Sequence, residues 1–195
     1  MAPGVLHRVI HGTHDPEPWQ KSLLTVRPAM LQSHRRHRVR HADYPAVLPH
    51  KGACVRGSVV SGLTEGDLYR LDIFEGSQYS RKVVKVQVLK DVGLDEAAEE
   101  GKTEVLEEVE AQTYVWEEGE DTLEPQEWDF EEFKRDKMRA WMGMVEDEGV
   151  EMDEGFADVD RAVAQQEGQE NKTRDPMGGR GAHGHITRQL KEAAV

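Results

Sequence analysis

The strongest constraint on the fold is the alternation that runs through residues 79–116. From Tyr79 to Leu89, Val84, Val86 and Val88 fall on one face and Lys85 and Gln87 on the other, the two-residue period of a strand with one buried side. An acidic, glycine-containing connection follows at residues 91–103. Residues 104–116 then alternate again, with Val105, Val109, Ala111, Thr113 and Val115 on one face. Two such runs in succession predict an antiparallel hairpin with a long solvated tip. A helix over residues 126–145, introduced by Pro125, offers Phe130, Phe133, Trp141 and Val145 as an apolar stripe to pack on a sheet.

The upstream half reads as shorter elements. Pro3 suits the first turn of a helix over residues 5–10 and Gly12 its end. His7, His11 and His14 lie at i, i+4 and i+7, a spacing a zinc site uses, but Gly12 ends the helix before His14 and plain surface histidines are the favoured reading. Residues 23–31 form a mixed apolar segment in which Pro28 favours strand or loop. Residues 53–60 read as a core strand bounded by Gly52 and Gly62, with Cys54 a buried structural thiol. Thr64 with Asp67 three residues on has the form of a capped helix start.

Charge is divided unevenly. Residues 1–60 hold nine Lys and Arg against three Asp and Glu, the remainder sixteen against thirty-five, and the whole chain carries −13. An acidic chain is a poor fit to a nucleic-acid backbone. The basic run at residues 34–41 therefore reads as a strand with an exposed face, since no interleaved aromatics supply stacking. The lone Cys54 permits no intrachain disulfide and suits a reducing compartment. With no apolar run of the roughly 18–20 residues a membrane span needs and no signal-like segment at the start, a soluble, cytoplasmic protein is expected. Residues 1–146 form the expected domain. Residues 147–195, rich in acid, Gln and Gly, form a largely disordered tail with at most transient helix at residues 162–166 or 187–194.

The segment Leu71-Asp72-Ile73-Phe74-Glu75-Gly76 joins the short helix to the first alternating strand. Glu75 sits at this hinge, with apolar residues before it and a glycine after. Burial there raises a carboxylate's pKa toward the range useful for proton transfer. On residue physics alone the competing reading, a solvated acid at a helix end, is the better one.

The ordered motifs shift that balance. Tyr44-Pro45, the strand of residues 55–60, Gly62-Leu63-Thr64, the Leu71–Gly76 segment with Tyr79 and Arg81, and the run Glu127-Trp128-Asp129-Phe130-Glu131-Glu132-Phe133 together resemble the gamma-glutamylcyclotransferase-like family, in particular its avirulence-induced-gene-type branch. The likeness covers residues 1–145. It implies an α+β fold, a small mixed β-barrel with flanking short helices. It also implies an acyltransferase activity that cyclises a γ-glutamyl amine or peptide to 5-oxoproline with release of the amine. Glu75 is then the general acid/base, Tyr79 and Arg81 line or brace the substrate site unless Tyr79 simply fills the strand's inner face, and no cofactor or metal is expected. Ring closure within one substrate requires no covalent enzyme intermediate, so the lack of a Ser/His/Asp or Cys/His set is no objection.

One departure qualifies this. Family members open with a strand and a Tyr-Gly turn whose backbone N–H groups hold the substrate carboxylate. Met1-Ala2-Pro3-Gly4-Val5 aligns just after that turn, so Met1 and Ala2 match only its trailing end and the first strand is missing. A start downstream of the natural one is the favoured explanation. The alternative is a catalytically inactive protein that keeps the fold for binding a partner.

Overall fold

The computed structural model describes residues 1–90, 92–94, 103–145 and 153–168. The elements run α1 (Pro3–His11), α2 (Pro18–Ser22), β1 (Thr25–Val39), β2 (Pro45–Ser61), α3 (Glu65–Glu75), β3 (Tyr79–Leu89), β4 (Val105–Trp116), β5 (Leu123–Glu127), α4 (Phe130–Glu132), α5 (Met138–Trp141) and α6 (Glu154–Gly168). They gather into two units. One draws on residues 1–25, 61–76 and 139 onward, the other on residues 26–60 and 77–138.

The second unit holds the sheet. β3 and β4 pair antiparallel from Tyr79 opposite Trp116 to Leu89 opposite Val105, the hairpin the alternation predicts. Val86 and Val88 point inward, while Val83 and Leu106 stay exposed. The expected tip falls largely on residues 91 and 95–102, outside the described residues. β1 pairs with three strands, β2, β3 and β5. Its first half pairs antiparallel with β3 through Ala29, Met30 and Leu31, and its second half with β5 through His37 and Val39. Between them Ser33 takes a left-handed φ of 57°, a local bend of the sort that lets one long strand change partner. Leu31, Ala29, Val55 and Val86 form one core cluster, and Val39, Ala46, Trp116 and Leu123 another.

The strand order β2-β1-β3-β4, with β5 beside β1, does not return on itself. The architecture is α+β with short helices, as the resemblance implies, but the sheet is open where a closed barrel was expected. Among the described residues no strand joins β2 to β4. The edge strand β4 carries Glu107, Glu108 and Glu110, charges that keep an unpaired edge solvated. The predicted helix over residues 126–145 is shorter and broken. Glu127 still belongs to β5, and a π-helical turn at Phe133–Lys137 separates α4 from α5.

The first unit is helical. Pro3 opens α1, and Gly12, at φ 73°, closes it with its N–H donating to Arg8 O. The face of α1 bearing Val5, Leu6, Val9 and Ile10 is buried. Part of the chain expected to be largely disordered is a helix, α6. Phe156 is fully enclosed and Val159 nearly so, and that burial offsets the ordering entropy a polar segment cannot otherwise meet. Residues 147–152 and 169–195 of the expected tail lie outside the described residues. Arg8 clamps α6 through both guanidinium nitrogens on Asp160, at 3.0 and 2.6 Å. No described helix is long and apolar enough to cross a membrane.

Gly62 precedes α3 at φ 92°, and a Cβ there would drive into the Leu23 carbonyl oxygen. Gly62→Ala is therefore expected to destabilise the chain by about 1–3 kcal/mol, read as a lower urea midpoint with an unchanged slope. A loss under about 0.5 kcal/mol would show that the backbone there yields without strain.

Candidate active site

The helix that presents Glu75 is fixed at its start by a reciprocal cap. The Thr64 hydroxyl accepts from Asp67 N–H at 3.2 Å, and the Asp67 carboxylate accepts from Thr64 N–H at 2.8 Å. This is the pairing that the spacing of Thr64 and Asp67 predicts, with Asp standing where Glu or Gln is commoner. Deeper in the same helix Arg70, 3% exposed, donates to the Ile10 carbonyl at 2.8 Å. This last bond ties α3 to the C-terminal end of α1. Glu75 is the last residue of α3, and Gly76 follows at φ 72° with its N–H donating to Asp72 O. The left-handed residue turns the chain sharply away and leaves Glu75 at the helix end.

Phe74, just before it, locks into an aromatic cluster. It meets Trp141 edge-on at 5.8 Å between ring centroids and Phe156 at 4.8 Å, while Trp141 and Phe156 meet at 5.1 Å. As a residue Glu75 keeps part of its surface on solvent, but protein atoms crowd the carboxyl group itself. That crowding pushes its pKa up from the ordinary 4.5 to about 7, chiefly through lost hydration. The Met1 ammonium pulls the other way, and the Asp153 carboxylate adds to the rise. The negative end of the α3 dipole acts in the same sense as Asp153. A carboxyl that binds and releases a proton near neutrality is equipped for general acid/base work.

The other expected site residues are distributed differently. Met1 is half exposed, and its ammonium falls within electrostatic range of Glu75. Ala2 is buried at the start of α1, where its carbonyl accepts from Leu6 N–H at 3.0 Å. Tyr79 and Arg81 belong to the sheet unit. There Tyr79 packs edge-on against Trp116 at 5.0 Å and donates its hydroxyl to Pro45 O at 3.0 Å. The exposed Arg81 donates to the Gln112 side chain at 3.0 Å. Cys54 is half-buried rather than buried.

The basic run is absorbed by structure. It lies mostly in β1, where the Arg36 guanidinium sits over Trp128 and Phe130 at 5.7 and 5.8 Å from their centroids. Burial lowers the Arg36 pKa against the pull of Glu127, Asp129 and Glu131. His7 and His11 stack at 5.4 Å between ring centroids, and among the described residues no three potential ligands come together to hold a metal ion.

Sequence reasoning missed Asp153. A visible signal was there: an Asp directly ahead of Phe156, Val159 and Val163 at helical spacing, the pattern of a helix N-cap.

Residues 7–130 match the family described as "Gamma-glutamyl cyclotransferase, AIG2-like", and the chain belongs to this family. It is 34% identical over 107 residues to AIG2-like protein C of Arabidopsis thaliana, covering 55% of this chain and 54% of that protein. It is 32% identical over 108 residues to protein AIG2 B of the same plant, covering 55% and 56%. AIG2-like protein D of that organism is 32% identical over 124 residues, covering 64% and 73%. A solution structure of a further Arabidopsis thaliana protein is 26% identical with a TM-score of 0.45, covering 73% of this chain and 79% of that one. The chain spans about half the length of the first two curated relatives it matches.

Proposed function

We propose that this chain acts as an acyltransferase of the gamma-glutamylcyclotransferase type, converting a γ-glutamyl amine or peptide to 5-oxoproline and a free amine. The observation that carries the reading is the crowded carboxyl of Glu75, which titrates at about 7. Ionised Glu75 removes a proton from the substrate's α-ammonium. The freed nitrogen attacks the γ-carbonyl and closes a five-membered ring. As the tetrahedral intermediate collapses, the old C–N bond breaks: Glu75 gives its proton to the leaving nitrogen, takes the surplus proton from the new ring nitrogen, and passes that one on as well, so the amine departs as an ammonium. One group near both nitrogens serves as base and then acid, and the enzyme ends as it began.

In this reading Met1 and Ala2 stand on the substrate side of Glu75, supported for Met1 by the electrostatic reach of its ammonium. Tyr79 and Arg81 brace β3, as their bonds to Pro45 and Gln112 suggest.

The test is 5-oxoproline release from γ-glutamyl amines and γ-glutamyl dipeptides across pH. Release is expected, with kcat/KM falling as pH drops through about 7, because protonated Glu75 cannot accept the ammonium proton. Assays run on the 195-residue chain and on a version carrying an upstream strand and Tyr-Gly turn separate an inactive member from an active one. No release from either, or a profile flat across that range, sinks the reading and leaves the partner-binding alternative.

A further inference from the structure

The end of α3 and the start of α6 meet in close backbone contact. At Gly155 an added Cβ would lie 2.8 Å from the Phe74 carbonyl oxygen and 3.0 Å from the Phe74 ring, so the first turn of α6 approaches the backbone of the residue preceding Glu75 as closely as only glycine allows. Phe156, one residue further, completes the aromatic cluster around Phe74. From the other side Arg8 of α1 holds α6 by the bidentate pair with Asp160 and lies over the Phe156 ring at 5.4 Å. Asp153 stands at the head of this docked helix. Its carboxylate accepts from Gly155 N–H at 2.9 Å and from the Trp141 side chain, and its own N–H donates to Trp141 O at 3.0 Å. Every rotation that would carry the side chain away breaks one of these bonds.

Resting on the assignment of Glu75 as acid/base, we propose that Asp153 is a positioning residue of the same site, a second carboxylate that the docking of α6 on α3 holds within electrostatic reach of Glu75. A neighbouring negative charge makes the ionised form of Glu75 harder to reach, so the proton is kept until a substrate nitrogen competes for it. The charged groups acting on Glu75 are the Met1 ammonium and Asp153. Those acting on Asp153 include Glu154 and Asp158, which together with burial push its own pKa up. The site then includes a residue from beyond the stretch of residues 7–130 that defines the family.

The experiment is a carboxyl-carbon NMR titration of the full chain, with the Glu75 resonance assigned by its loss in Glu75→Gln. Asp153→Asn and Asp153→Ser both keep a cap acceptor for Gly155 N–H and remove the charge. Asp153→Glu keeps the charge. The expected result is a Glu75 midpoint that falls below about 7 in the Asn and Ser variants and is retained in the Glu variant. The acid limb of kcat/KM should move down with it. An unchanged midpoint in Asn and Ser overturns the proposal, and so does an equal fall in all three, which marks a packing role. The titration needs no turnover, so a chain that releases no 5-oxoproline defeats the functional reading while Asp153 is still judged on the midpoint.

Discussion

Glu75→Gln is expected to cut 5-oxoproline release by roughly 10²–10⁴-fold while making the protein more stable above neutral pH. The first effect follows from chemistry: a glutamine amide fills the same space but neither accepts the ammonium proton nor returns one to the leaving amine. The second follows from linkage. Between 4.5 and about 7 the folded chain holds a proton on Glu75 that the unfolded chain has released, so stability falls as pH rises through that window and levels off above it. Glutamine has no proton to lose. The variant's advantage should be absent near pH 4 and grow to about 3 kcal/mol above pH 7, measured by urea unfolding at several pH values. Loss of turnover with no pH-dependent stability gain would mean that Glu75 is not held in a crowded setting. A gain in stability with turnover intact would remove Glu75 from the reaction.

Phe156→Ala should be among the most damaging single changes in the helical unit, at about 3–5 kcal/mol. The side chain is fully buried and touches Phe74, Trp141 and the Arg8 guanidinium at once. Truncation removes all three contacts and opens a cavity beside Phe74. The prediction also decides how α6 is to be regarded: a helix resting on the surface would lose under about 1 kcal/mol. Calorimetry or urea unfolding reads the effect directly. Because the same cavity admits water next to Glu75, its midpoint should fall in Phe156→Ala as well.

What the sequence disclosed, and what it hid, divides along physical lines. The β3–β4 hairpin was legible because the two-residue period is a local property that survives in any sheet. The cap at Thr64 and the stop at Gly12 were legible for the same reason: each is settled within four residues. The open sheet was not, since closure depends on which distant strand reaches an edge, and no local pattern reports that. α6 was obscured by composition, because two or three apolar residues among many acids look like a solvated tail until a matching surface is supplied by Phe74 and Trp141. Glu75 was the hardest case. Its neighbours in sequence favour an exposed acid, and the groups that raise its pKa come from the far end of the chain and from the packing of α3. Family likeness singled out the residue, and only the fold supplied a reason for its raised pKa.

The helical unit is stitched from residues 1–25, 61–76 and 139 onward, and this has a consequence for how the protein comes into being. Contacts between segments so far apart in the chain form slowly, because a long loop must close before any of them is rewarded. During synthesis the β3–β4 hairpin can assemble as soon as it emerges, whereas Phe74 has no partner until Trp141 and Phe156 have left the ribosome. Until then Glu75 is an ordinary acid, ionised and hydrated like any other. The setting that raises its pKa is thus among the last properties the nascent chain acquires, since the Asp153 charge and the Phe156 packing arrive only with α6.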